Sequence, residues 1–226
     1  MKTVTFSKNT LSILKNFSSL NSNLLVKPGN VIKTITPSEN AMAVAIVEET
    51  FDTEFGIFDL NSFLAAGTIS NSPTYSFGEK KVMIKSGDSE GEYFYSEPRM
   101  LKFPTKNVIM PAIDVTIDLT EKQFTELHRA ASILQLPDLS FVVIENNIVA
   151  TVSNTSDPTT NKWKVIVHKN WNGPNFIFNF KLDNLKILPG DYQVNFGKNI
   201  VGEFVNKNIS LKYWFAMEAN TSKYDS

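Results

Sequence analysis

The chain has 226 residues with 22 basic and 23 acidic side chains, a formal net charge of −1, which excludes a cationic module that captures nucleic acid by charge alone. A content of 42% hydrophobic and 20% charged residues suits a chain that buries a core and excludes a disordered linker. The absence of cysteine excludes disulfide staples, thiolate catalysis and Cys-based metal centres.

In chain order, Met1 to Thr10 has no apolar signal region, and the longest apolar run, Ala41 to Val47, falls far short of the roughly 20 residues that span a bilayer. A soluble, intracellular protein without a membrane partner is expected. Ser7 reads as an N-cap for a helix over residues 8–20 whose apolar face carries Leu11, Leu14, Phe17 and Leu20. Strands are expected at Leu24–Lys27, Val31–Thr36, Ala41–Val47 and Thr53–Phe58, the first two joined by the turn Pro28-Gly29-Asn30. A short helical piece at Asp59–Leu64 precedes strands at Thr74–Phe77, Val82–Lys85 and Tyr93–Ser96.

The pattern then begins again. Thr120 caps a helix from Glu121 to about Gln135 with Phe124, Leu127, Ala131 and Leu134 on one face, followed by strands at Leu139–Glu145 and Ile148–Ser153 around an Asn-rich turn. Further strands are expected at Trp163–His168 and Phe176–Phe180, then a second short helical piece at Lys181–Lys186. Strands at Tyr192–Phe196, Ile200–Val205 and Ile209–Met217 complete the order. A unit this long exceeds the period of about 20 to 50 residues of solenoid repeats, so the halves read as two copies of one α+β domain. The expected bounds are 1–103 and 114–226, with a connector at 104–113 between Pro104 and Pro111.

The catalytic inventory is thin. His128 and His168 are the only histidines and sit on different elements, no glycine-rich phosphate loop occurs, and no metal or cofactor motif is present. Asp114 and Asp118 share one face of a strand, as a solvent-facing edge would also have them. Neither an enzyme nor a bound cofactor is expected. The helix surfaces say more. Lys8, Ser12, Lys15 and Ser19 form a polar stripe opposite the leucines, and Lys122, Thr125, Arg129 and Ser132 form one on the second helix. Only Arg99 and Arg129 are arginine, and lysine suits transient phosphate contact where base readout favours the guanidinium fork.

Leu14-Lys15-Asn16-Phe17, Asp59-Leu60-Asn61-Ser62-Phe63-Leu64, Phe178-Asn179-Phe180, Pro189-Gly190-Asp191-Tyr192 and Ala216-Met217-Glu218-Ala219 together make the chain resemble the DNA polymerase sliding clamps of T-even-type bacteriophages over essentially its whole length. The resemblance implies two clamp-type domains per chain, antiparallel sheets outside and helices inside, assembled into a three-subunit ring around duplex DNA without sequence specificity. It implies loading by an ATP-driven clamp loader, tethering of the phage DNA polymerase, and coactivation of late transcription with phage late transcription factors and host RNA polymerase, in the cytoplasm of the infected bacterium. Lys8, Ser12, Lys15, Lys122 and Arg129, with Lys181 and Lys186, are the expected DNA-facing residues. Val108, Ile109 and Met110 on the connector are the expected pocket for partner tail peptides.

Geometry bears on the ring independently. A domain of about 110 residues is roughly 30 Å across; four in a circle leave a hole of about 12 Å and six leave about 30 Å, against a duplex roughly 20 Å wide. Three two-domain chains fit around DNA and two do not. Two other classes fit parts of the sequence: a trimeric phage neck or tail protein, and a sugar-binding or hydrolytic domain using Trp163, Trp171 and Trp214 as stacking platforms.

Overall fold

The computed structural model describes residues 3–110, 112–157, 159–197 and 201–225, so the expectations at Pro111 and Ile200 lie outside the described residues. The chain divides into two compact units, Met1–Asn107 and Val108–Ser226. Among the described residues no helix is long and apolar enough to cross a membrane.

In the first unit, β1 (Thr3–Val4) leads into α1 (Lys8–Leu20), then β2 (Leu24–Val26), β3 (Gly29–Ile35), β4 (Ala41–Phe51), β5 (Phe55–Ile57), α2 (Leu60–Ala66), β6 (Thr74–Phe77), β7 (Lys81–Ser86) and β8 (Ser89–Phe94). A four-stranded antiparallel sheet has the order β1-β6-β7-β8, β2 pairs with β5, and β3 with β4. Gly29, at φ 114°, supplies the left-handed backbone that the expected turn between β2 and β3 requires. Aromatic rings form the core, with Phe6 against Phe63 and Tyr75, and Phe55 stacked between Phe77 and Tyr95.

Two expectations in this unit are corrected. Leu11 is 39% exposed; the buried face of α1 is Thr10, Ile13, Leu14, Phe17 and Leu20. Thr10 takes the inward position because its hydroxyl donates to the buried Glu49 carboxylate at 2.5 Å, which turns Leu11 to the margin of the stripe. The expected strand at Tyr93–Ser96 starts four residues earlier, as β8. Its Ser-Glu-Gly-Glu sequence carries no apolar signal, and β8 owes its place to the hairpin with β7, closed by Gly87 at φ 57° and by the pairs Lys81–Glu92 and Lys85–Glu90.

In the second unit, β9 (Val115–Leu119) leads into α3 (Glu121–Leu134), then β10 (Asp138–Ile144), β11 (Asn147–Ser153), β12 (Trp163–His168), β13 (Phe176–Lys181), β14 (Tyr192–Gly197), β15 (Val201–Asn206), β16 (Leu211–Ala216) and β17 (Lys223–Tyr224). One antiparallel sheet has the order β12-β11-β10-β13-β17, and β9, β14, β15 and β16 pair in the order β16-β15-β14-β9. The turn between β10 and β11 has Glu145 and Asn146 both left-handed, at φ 47° and 58°, as a tight two-residue hairpin requires. The expected helical piece at Lys181–Lys186 is a single 3-10 turn, Leu182–Asn184. Its counterpart α2 is capped by the Asp59 side chain on the Ser62 N–H, whereas Lys181 at the cap position provides no acceptor.

Phe17 is fully buried under α1, and its loss leaves a cavity that packed neighbours cannot close. Phe17→Ala is expected to destabilise the protein by about 3 to 5 kcal/mol and Leu11→Ala by less than about 1 kcal/mol, read from urea unfolding midpoints. Equal effects would place the buried face of α1 elsewhere.

Candidate nucleic-acid interface

Each unit presents one long helix whose polar face is fixed at its N-terminus. In α1, Ser7 accepts from the Thr10 N–H at 3.1 Å, while the buried Glu49 carboxylate accepts from the Ser7 N–H at 2.5 Å and from the Thr10 hydroxyl. In α3, Thr120 and Gln123 form a capping box, and Asp191 accepts from the Glu121 N–H at 2.8 Å. The Thr-x-x-Gln spacing was visible in the sequence and would have identified Gln123 as well as Thr120.

Lys8, Ser12 and Lys15 are exposed on α1, whose sequence contains no acid. Lys122 and Arg129 are exposed on α3 and stand the same seven residues apart as Lys8 and Lys15, two helical turns or about 10.5 Å along the axis. These four cations form no ion pair among the described residues. Acids do stand nearby: Glu48 accepts from the Asn9 amide at 3.5 Å, and Glu126 accepts from the Trp163 indole N–H at 3.0 Å. His128 lies half-buried on α3 with its ring edge against Phe124, and burial lowers its pKa.

The two weaker candidates differ. Lys186 is exposed, but the Lys181 ammonium lies 2.5 Å from the carboxylate of Asp138, a residue only 1% exposed, which also accepts from the N–H and hydroxyl of Thr155 at 2.7 Å. Asp118 is likewise paired, with Lys207 at 2.6 Å. Trp163 bonds Glu126, Trp171 donates to the Pro174 carbonyl and packs on Phe176, and Trp214 belongs to β16. Among the described residues no three His, Asp or Glu side chains are grouped to hold a metal ion.

A second surface in the first unit is a groove of about 370 Å³. Leu25, Val31 and Phe103 give it an apolar floor, Lys27, Lys33 and Lys106 a basic rim, and Lys33 donates to the Asn107 side-chain oxygen at 2.6 Å. Val108, Ile109 and Met110 follow directly in sequence but do not line it; Ile109 is 88% exposed, and Val108 and Met110 are half-buried. Sequence reading missed this groove because its wall joins the 25–33 and 103–107 segments, which no local pattern connects.

No protein-family model matches the chain. It is 27% identical to a sliding clamp of Escherichia phage RB69 over 224 residues, covering 96% of this chain and 97% of that protein. Sliding clamps of Vibrio phage KVP40 and Enterobacteria phage T4 are 27% and 26% identical, covering 94% and 96% of this chain and 98% and 97% of their own lengths. Among solved structures, A. fulgidus PCNA with the C-terminal region of FEN-1 bound superposes with a TM-score of 0.71 at 14% identity, over 96% of this chain and 98% of that one. A chain of the Sulfolobus tokodaii PCNA2-PCNA3 complex gives 0.68 at 12% identity, over 96% and 98%. A Pseudomonas aeruginosa DnaN sliding clamp gives 0.67 at 14% identity, over 96% of this chain and 65% of that one. The fold is the one these clamp chains share.

The Asp138 anchor has a pH signature. Burial pushes its carboxyl up, but the Lys181 ammonium and the two Thr155 donors outweigh burial and hold its pKa below the usual carboxylate value. Its stabilisation is therefore full above the unfolded-state pKa of about 3.9 and is lost as pH falls through the lower folded value. Asp138→Asn is expected to destabilise the protein by about 1 to 3 kcal/mol at neutral pH, with the difference from the parent shrinking below about pH 4 in urea titrations. A pH-independent difference would show that the charge contributes nothing.

Proposed function

We infer that the chain is the subunit of a DNA sliding clamp, a ring that surrounds duplex DNA and tethers the phage replicative polymerase for processive synthesis. The observation that carries this reading is likeness to phage sliding clamps at 26–27% identity across nearly the full length of both partners, joined to the clamp fold. Ring closure at three chains follows from the width of a duplex against that of a domain.

In this reading Lys8, Ser12, Lys15, Lys122 and Arg129 face the DNA, with Lys181 and Lys186 at the margin. Lys181 contributes least, because its ammonium is already engaged by Asp138. The stripes give each helix cations at one spacing and no base-reading fork beyond Arg129, which suits sequence-independent contact with phosphate. The role is that of a scaffold and requires no turnover by the chain itself.

Partners follow from the same role. An ATP-driven loader opens the ring, the polymerase binds by a tail peptide, and late transcription factors with host RNA polymerase use the same ring in the cytoplasm of the infected bacterium. The groove rimmed by Lys27, Lys33 and Lys106 suits such a tail, its floor taking apolar anchors and its basic rim taking acidic residues of the tail. Val108, Ile109 and Met110, next along the connector, are further candidate contacts for the tail.

The test is primer extension with the cognate polymerase and loader. Replacing Lys8, Lys15, Lys122 and Arg129 together by alanine is expected to shorten products several-fold at about 0.15 M salt, while the unfolding midpoint moves little, since exposed substitutions change stability by about 0.5 kcal/mol or less each. Unchanged product lengths would remove these residues from the DNA-facing set.

A further inference from the structure

Asn172 is the one asparagine of the chain that is followed by glycine. The pair forms the crest of the turn between β12 and β13, where both residues are exposed. Among the described residues the Asn172 side-chain amide has no hydrogen-bond partner, and the Gly173 N–H donates to none. Other asparagines are engaged: Asn21, Asn179 and Asn195 are tied by their side chains to distant segments or neighbouring strands.

Both flanks of the crest are fixed. The Trp171 backbone N–H donates to the Asn146 carbonyl at 2.7 Å, and its indole N–H donates to the Pro174 carbonyl at 2.9 Å, so the ring straps the crest from one side to the other. The indole stands nearly perpendicular to His168 and Phe176, with centroids 5.8 and 6.0 Å away. A Cβ at position 173 would run into the Trp171 ring, so the strap requires glycine there. The turn therefore sets an obligatory glycine beside an unengaged amide.

We propose that Asn172 is a site of spontaneous, one-way modification, converting to aspartate and isoaspartate. The Gly173 backbone nitrogen gives up its proton to solvent hydroxide and attacks Cγ of Asn172. The bond from Cγ to the side-chain nitrogen breaks, ammonia leaves, and a cyclic imide closes. Glycine permits the approach because no Cβ shields its nitrogen. Water then opens the imide: breaking the new bond at Cγ leaves aspartate, and breaking the bond at the main-chain carbonyl leaves isoaspartate, whose chain runs through the former side chain. Water enters and ammonia leaves, so no oxidant or cofactor takes part. Either product adds a negative charge three residues from the exposed Lys169. Isoaspartate also adds a main-chain methylene, about 1.5 Å of path, which a strap held by one hydrogen bond cannot span unchanged, so Trp171 is released. The modification does not depend on whether the chain forms a ring.

The test ages the full chain in warm, mildly alkaline buffer, beside the same chain unfolded in guanidinium chloride and beside the folded Asn172→Gln variant, whose longer side chain closes such a ring far more slowly. Peptide mass spectrometry follows each asparagine, and fluorescence follows the tryptophans. In the folded chain Asn172 is expected to convert about tenfold or more faster than Asn21, Asn61 and Asn71, each followed by serine, and within about threefold of its rate in the unfolded chain. Emission is expected to move to longer wavelength in step with conversion in the parent and to stay constant in the Asn172→Gln variant. Folding that slows conversion beyond that range overturns the proposal, because the Trp171 strap would then hold the pair out of reaction. Conversion without a change in emission overturns the release of Trp171.

Discussion

Each phosphate that a protein neutralises releases counterions and adds affinity, so a protein that must travel along DNA cannot rely on many such contacts at once. The near-zero net charge of this chain is consistent with that limit. Retention then has to come from topology, and topology requires a closed assembly of copies. The balanced charge and the exposed cations on α1 and α3 are consistent with replacing grip by enclosure.

A polar helix face is useful only if its helix is held still. Both long helices are secured at the N-terminus by hydroxyl caps, and α1 is tied further by a carboxylate buried behind it. Burying Glu49 is unfavourable unless its oxygens are satisfied, and the Ser7 N–H and Thr10 hydroxyl satisfy them. The arrangement fixes the rotation of α1 and with it the direction of Lys8 and Lys15. On α3 the corresponding work is done by Thr120, Gln123 and Asp191, so the two helices reach the same presentation through different residues.

The bounds of α1 and α3 were legible because a capping side chain and a 3.6-residue apolar period coincide there. The face of α1 was read one position off, since periodicity counts Leu11 as apolar and has no knowledge of the distant Glu49 that draws Thr10 inward. β8 was legible only at its aromatic end, because its charged half is ordered by cross-strand pairs and not by burial. The basic stripes on α1 and α3 could be read from spacing alone, whereas the groove could not: Lys27, Lys33 and Lys106 come together through tertiary folding, and Val108, Ile109 and Met110 were chosen from the place of the connector in the resembled family. Similarity between the helices was likewise readable, but the loss of α2's counterpart turned on a missing cap at Lys181.

Enclosure is tested most directly by loading the protein onto nicked circular DNA, raising salt to about 1 M, where the screening length is about 3 Å, and comparing retention before and after the circle is cut at one site. The account predicts that the protein stays on the intact circle at that salt and escapes from the free ends once the DNA is linear. Equal loss from both forms would mean that attraction to phosphate, and not a closed ring, holds the protein to DNA.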